Sequence, residues 1–305
     1  MAEFKQWVIP LNQKSQEVTP SGSTIEYEEF SSEIDVIGPL LYRLFQECWQ
    51  DVELGHMVEG SVLELSFTEA PDLFVVYDGY LTVATKSWHM HLCVEENLGG
   101  PLCRTPVEQR QHRVIKRAAL YRRSSTTGRA FGWGIQFWNG ADERMMTLFL
   151  PSPYLGDDED LLPEGKPRLE KLALYEELRS TYILGERPIP YEQNPLTRPY
   201  IAVCTSSRCN PSRNWQPTAE ALKASLSEQG LDIPVQTTGC LEVCKLGPVV
   251  FHSGDRTWFT RATPKIAKQI VEDFLVSGEA IPGHHYPADA TAVQSKSTRQ
   301  PAEAS

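Results

Sequence analysis

From Ile37 the apolar positions Leu40, Leu41, Leu44, Phe45, Cys48 and Trp49 follow one another at three- and four-residue spacings. That pattern predicts one face of an amphipathic helix, with Cys48 as a small hydrophobe within it. The period then drops to two. Residues 61–67 alternate, and LFVVY at 73–77 and YLTVAT at 80–85 flank Asp78-Gly79, a two-residue hairpin signal. SWHMHLCV at 87–94 alternates again. Thr105, Pro106 and Glu108 sit where an N-cap, a first helical residue and a capping-box glutamate belong, and predict a helix from there to about Arg123. GWGIQFW at 132–138 and RMMTLFL at 144–150 form a second predicted hairpin around NGADE, while residues 1–30 read as a loosely docked polar arm. The first 150 residues are therefore expected to be an α+β domain with a mainly antiparallel sheet.

Residues 151–199 read as a linker with a helix. PSPYLGDDEDLLPEGK is rich in proline, glycine and acids; a leucine and tyrosine pattern predicts a helix over 167–183; GERPIPYEQNPLTRP follows with four prolines. Beyond Tyr200 the order β-α-β-β-β-α is expected through residue 286, a domain-sized stretch. Residues 287–305 are small and polar, the composition of a disordered tail.

The chain has 305 residues, 41% apolar and 23% charged, which fits a globular protein rather than a fibrous or wholly disordered one. No stretch has the length and apolarity of a membrane helix, and the first residues lack a basic segment leading into an apolar core. A cytoplasmic protein is the expectation. Net charge is −11, which argues against general nucleic-acid binding. The charge is uneven: residues 1–197 hold 18 Lys+Arg against 30 Asp+Glu, and residues 198–286 hold 9 against 8.

Four of the seven cysteines, Cys204, Cys209, Cys240 and Cys244, lie in the near-neutral part, spaced Cys-x4-Cys and Cys-x3-Cys. Two loops carrying two thiolates each can hold a [2Fe–2S] cluster, in which each iron takes two terminal ligands. A four-cysteine zinc site usually uses Cys-x2-Cys knuckles, and paired disulfides suit secreted chains. The dithiol motif Cys-x-x-Cys is absent. Cys-x4-Cys after a first strand, followed by Gly239-Cys240-Leu241, Cys244 and Gly247-Pro248-Val249, resembles the thioredoxin-like [2Fe–2S] ferredoxins. The resemblance covers residues 200–286. It implies a thioredoxin-like α/β fold, Cys204, Cys209, Cys240 and Cys244 as cluster ligands, and one-electron exchange with a redox protein partner.

Two further groups carry candidate chemistry. On a strand, His89, His91 and Cys93 share a face, a donor set for zinc, copper, iron or a haem axial position. The same residues also suit a hydrogen-bonded polar face without metal; Cys103 and His112 lie beyond as further donors. Residues 104–129 hold eight basic residues and one acidic one, so Arg110, Arg113 and Arg117 are candidates for an anion or partner contact, or for pairing with the domain's own carboxylates. No nucleotide loop, nucleophile elbow or HExxH motif is present. Three functions are consistent with this: an electron-transfer protein, a redox enzyme whose N-terminal domain holds a metal, haem or small-molecule site fed by the cluster, and a redox-sensing protein that grips a partner. A homodimer is left open.

Overall fold

The computed structural model describes residues 6–58, 60–157, 160–163, 165–206, 215–239 and 246–290. They divide into two compact units, one within Met1–Asn97 and Val107–Leu196, the other within Leu98–Pro106 and Thr197–Ser305.

The first half of the chain runs β1 (Lys14–Val18), β2 (Thr24–Phe30), α1 (Ile34–Tyr42), β3 (Glu53–Val58), β4 (Ser61–Ser66), β5 (Leu73–Tyr77), β6 (Tyr80–Ala84) and β7 (His89–Cys93). Two short strands follow, β8 (Gly99–Gly100) and β9 (Cys103–Arg104), then α2 (Val107–Arg113), β10 (Arg117–Ser124), β11 (Ala130–Trp138), β12 (Arg144–Leu150) and α3 (Ala173–Leu178). Except for the β8–β9 pair, these elements form the first unit. Seven strands make one antiparallel sheet in the order β1-β2-β10-β11-β12-β3-β4, and β5-β6-β7 make a second. The main core joins Leu120, Ile135 and Leu148 of the large sheet, Leu81, Val83 and Leu92 of the small one, Ile37, Leu40 and Leu41 of α1, and Leu174 and Leu178 of α3. A smaller cluster of Ile25, Tyr27, Ala119, Tyr121 and Trp138 covers the other face of the large sheet.

Three expectations change here. Residues 14–30 are paired strands, with Ile25, Tyr27 and Phe30 buried, rather than a loose arm. The helix expected to reach Arg123 stops at Arg113, and 117–124 is a strand. The reason is two-sided burial: Ala118 and Leu120 enter the main core while Ala119 and Tyr121 enter the small cluster. A strand buried on both faces reads as a continuous apolar run, without alternation. Finally, Leu174, Tyr175, Leu178, Tyr182 and Ile183 are buried in the main core, so much of 151–199 is part of the first unit rather than a connection.

The second unit contains β13 (Ile201–Cys204), α4 (Trp215–Glu228), β14 (Val235–Thr238), β15 (Val250–His252), β16 (Thr257–Phe259), α5 (Pro264–Gln269, continued in wider turns through Ile270–Val276) and β17 (His285–Tyr286). Its sheet runs β14-β13-β15-β16-β17. Only β13 and β14 are parallel, the expected result of crossing over through α4. Ile201, Val203, Val250 and Phe259 pack against Leu222, Ile266 and Ile270 of the two helices. Thr263 caps α5, its hydroxyl accepting from the Ile266 N–H with Pro264 next in line. The loop with β8 and β9 groups with this unit, and the Arg104 guanidinium donates to the Gly99 and Pro287 carbonyls at 2.9 and 2.8 Å. Of the expected tail, residues 291–305 lie outside the described residues.

Candidate functional site

In the second unit all four residues of β13 are buried, and the strand ends on Cys204. Parallel pairing sets Cys204 opposite Thr238, the last residue of β14. Both cysteine segments therefore leave the same edge of the sheet. The join is tightened by Thr205, whose N–H and hydroxyl both donate to the Thr238 carbonyl, at 2.9 and 2.7 Å. The Cys204 thiol lies 3.4 Å from the carbonyl oxygen of Gly239, the residue just before Cys240. Cys209, Cys240 and Cys244 lie outside the described residues.

In the first unit β7 pairs with β6 in the register His89 to Ala84, His91 to Thr82 and Cys93 to Tyr80. The three donor residues share a face, as alternation demands. His89 and His91 are exposed with ring centroids 5.3 Å apart, and His91 Nδ1 lies 2.9 Å from the Thr82 hydroxyl. Cys93 differs. It is buried, and its thiol donates to the Glu95 carbonyl at 3.2 Å. Burial pushes its pKa up to about 11, so without a metal it stays a thiol at neutral pH. Among the described residues no three His, Cys, Asp or Glu side chains are grouped to hold a metal ion. His112 is exposed and 3.1 Å from Glu143, and Cys103 is an exposed thiol of the second unit.

The basic run does not form one face. Arg110 and Arg113 are on α2, whereas Arg117 begins β10. The Arg117 guanidinium lies 3.6 Å over the Trp138 ring and is paired with Glu29 and Asp142. Arg122 is paired with Glu26. These two cations serve the first unit's own carboxylates.

Sequence reasoning missed a cavity in the first unit. A cavity of about 870 Å³ opens among β3, β4, β12, α2 and the outer edge of β7. Its wall is mostly apolar, with Met57, Leu63, Leu65, Met90, Met145 and Met146, and it includes His56, His91, His112 and Arg113. His56 Nδ1 lies 2.8 Å from the Met145 carbonyl oxygen. The signal was present as His56-Met57, Met90-His91 and Met145-Met146, but it is spread over three separate strands. A second cavity, of about 630 Å³, is crossed by the ion pairs Arg122–Glu26, Arg179–Glu28 and Lys14–Glu28.

Comparison with known proteins divides the chain in the same way. A putative 2Fe-2S ferredoxin of Priestia megaterium is 34% identical over 85 residues, which is 27% of this chain; the chain spans only 65% of that relative's length. A 2Fe-2S ferredoxin of Clostridium pasteurianum is 30% identical over 91 residues, 27% of this chain and 89% of its own. The solved thioredoxin-like [2Fe-2S] ferredoxin of Aquifex aeolicus aligns with 28% of this chain and 88% of its own, at 23% identity and a TM-score of 0.26. Residues 14–184 match a family of unknown function, DUF7676. That match spans more than half of the 305 residues, so the chain belongs to the DUF7676 family and carries in addition a segment related to the 2Fe-2S ferredoxins.

Proposed function

We propose that the protein is an electron-transfer protein that carries one [2Fe–2S] cluster on Cys204, Cys209, Cys240 and Cys244, in a thioredoxin-like module over residues 200–286. The observation that carries this is the parallel register of β13 and β14, which starts both cysteine segments from one sheet edge with Cys204 against Gly239. The donor set fits: four cysteines match the terminal ligands a two-iron cluster requires, and Cys204 is only 1% exposed, where water is excluded. The relatedness to 2Fe-2S ferredoxins supports the same reading. When bound, such a cluster takes up and releases single electrons. The chain's part is to supply the thiolates and to tie the ends of the two strands together through Thr205 and Thr238. A redox protein partner follows from this role. Anaerobically purified full-length protein should contain about two irons and two sulfides per chain, and give an S = ½ signal once reduced. Cys204→Ala and Cys240→Ala should each abolish both. Zinc without iron in the native protein would overturn the reading.

The cavity of the first unit favours a second reading, in which the protein also holds a cofactor or substrate there and the electrons serve its chemistry. Its size and its apolar wall with a few polar groups are those of a ligand site. Binding of a small apolar probe to the full-length protein, reduced by Leu63→Arg in the cavity wall, would support it. A probe that ignores that change would remove it.

A further inference from the structure

The second reading can be carried further, and this step rests on it. We propose that the first-unit cavity binds an iron porphyrin, with His56 as the axial ligand.

His56 is on β3 in the cavity wall. Its Nδ1 faces the Met145 carbonyl oxygen at 2.8 Å. A carbonyl only accepts, so Nδ1 carries the proton and the lone pair is on Nε2. This is the tautomer of metal-ligating histidines, whose other nitrogen donates to a backbone carbonyl or carboxylate. No group of three donor residues among those described gathers to hold a bare ion. A metal that already has four ligands in a plane needs only one such imidazole.

The rest of the wall fits that kind of ligand. A porphyrin is broad and flat, with apolar faces, and calls for a roomy apolar enclosure. The cavity measures about 870 Å³, and its wall includes the thioethers of Met57, Met90, Met145 and Met146. Thioether side chains are soft, polarisable and adaptable against aromatic rings. The carboxylate arms of a porphyrin need a cation near water, and exposed Arg113 in the wall supplies one. Arg113 also bonds the Tyr80 hydroxyl in the same wall, and His112 is engaged with Glu143.

Hemin titrated into the full-length protein should saturate at one equivalent with a sharpened, shifted Soret band. His56→Ala should lose that band position, and added imidazole should restore it. His56 is exposed, so the variant should keep the native circular dichroism. Arg113→Glu should weaken binding by about tenfold, the scale of one charge-assisted contact. Iron-free protoporphyrin should bind more weakly than hemin to the native chain. A His56→Ala spectrum identical to the native one, equal binding of the iron-free ring, or no saturable hemin binding would each overturn the proposal. Failure of the broader reading is separable. If hemin does not bind but the native protein takes up 1-anilinonaphthalene-8-sulfonate and Leu63→Arg does not, the cavity remains a ligand site and only the porphyrin is lost. If neither binds, both readings fall.

Discussion

Burial holds Cys93 as a thiol with a pKa of about 11, so at pH 8 only about one molecule in a thousand carries the thiolate. Cys103 is exposed. Iodoacetamide at pH 8 followed by peptide mapping should modify Cys103 in the native protein and Cys93 only after unfolding. Equal labelling of the two in the native state would contradict the buried placement. Alternation in WHMHLC was enough to put His89, His91 and Cys93 on one face, and the register with β6 agrees. It could not show that one end of β7 is covered. Tyr80 stands across from Cys93, and the chain turns back there through Glu95, whose carbonyl accepts a hydrogen bond from the thiol. His56 was hidden for a related reason: its bond to the Met145 carbonyl exists only once β3 has paired with β12, nearly ninety residues away in sequence.

Among the elements, the β5–β6 hairpin was legible because its turn is local. Asp78 and Gly79 both have positive φ, 40° and 87°, as a tight turn of this kind requires. Gly79 is also pressed against the next segment, where an added Cβ would stand 2.4 Å from the Glu95 carbonyl oxygen. Gly79→Ala should therefore cost at least about 2 kcal/mol, from left-handed strain plus overpacking, measured by urea unfolding. It should also loosen the covering of Cys93 and raise its labelling. The α3 region was legible as a helix but not as core, because its continuation at Arg179 is tied to β2 by an ion pair with Glu28 that spans 151 residues. The hydrogen bond from Arg179 is the main cause holding the Glu28 pKa down, to about 2. The folded value lies below the ordinary glutamate value of 4.5, so its stabilisation is complete above that pH. It is lost as pH falls from 4.5 toward 2. Glu28→Gln should lower stability at pH 7 by about 1–2 kcal/mol after allowance for solvent screening, and flatten the acid limb of a stability profile over that window. An unchanged acid limb would show that the pair contributes nothing.

On the scale of the whole molecule, the division of apolar residues into separate cores has a thermodynamic consequence. Phe137 is fully buried in a core built from the large sheet, the small sheet, α1 and α3, while Phe259 is fully buried among β13, β15, α4 and α5. A unit with its own core is expected to unfold as its own cooperative step. Calorimetry of the full chain should then show two transitions. Phe137→Ala should lower one and Phe259→Ala the other, each by about 3–5 kcal/mol, the usual cost of emptying a phenylalanine site. The proposed cluster adds a third handle. A group bound by the native second unit stabilises that unit alone, because its thiolate cage does not persist in the unfolded chain. Removing iron from the native chain should therefore lower the transition that Phe259→Ala marks and leave the one that Phe137→Ala marks in place. If both fell together, the two cores would be unfolding as one and cluster binding would be coupled to the entire chain. If neither moved, the cysteine segments would not be holding a group that contributes to folding, and the electron-transfer reading would lose its structural basis.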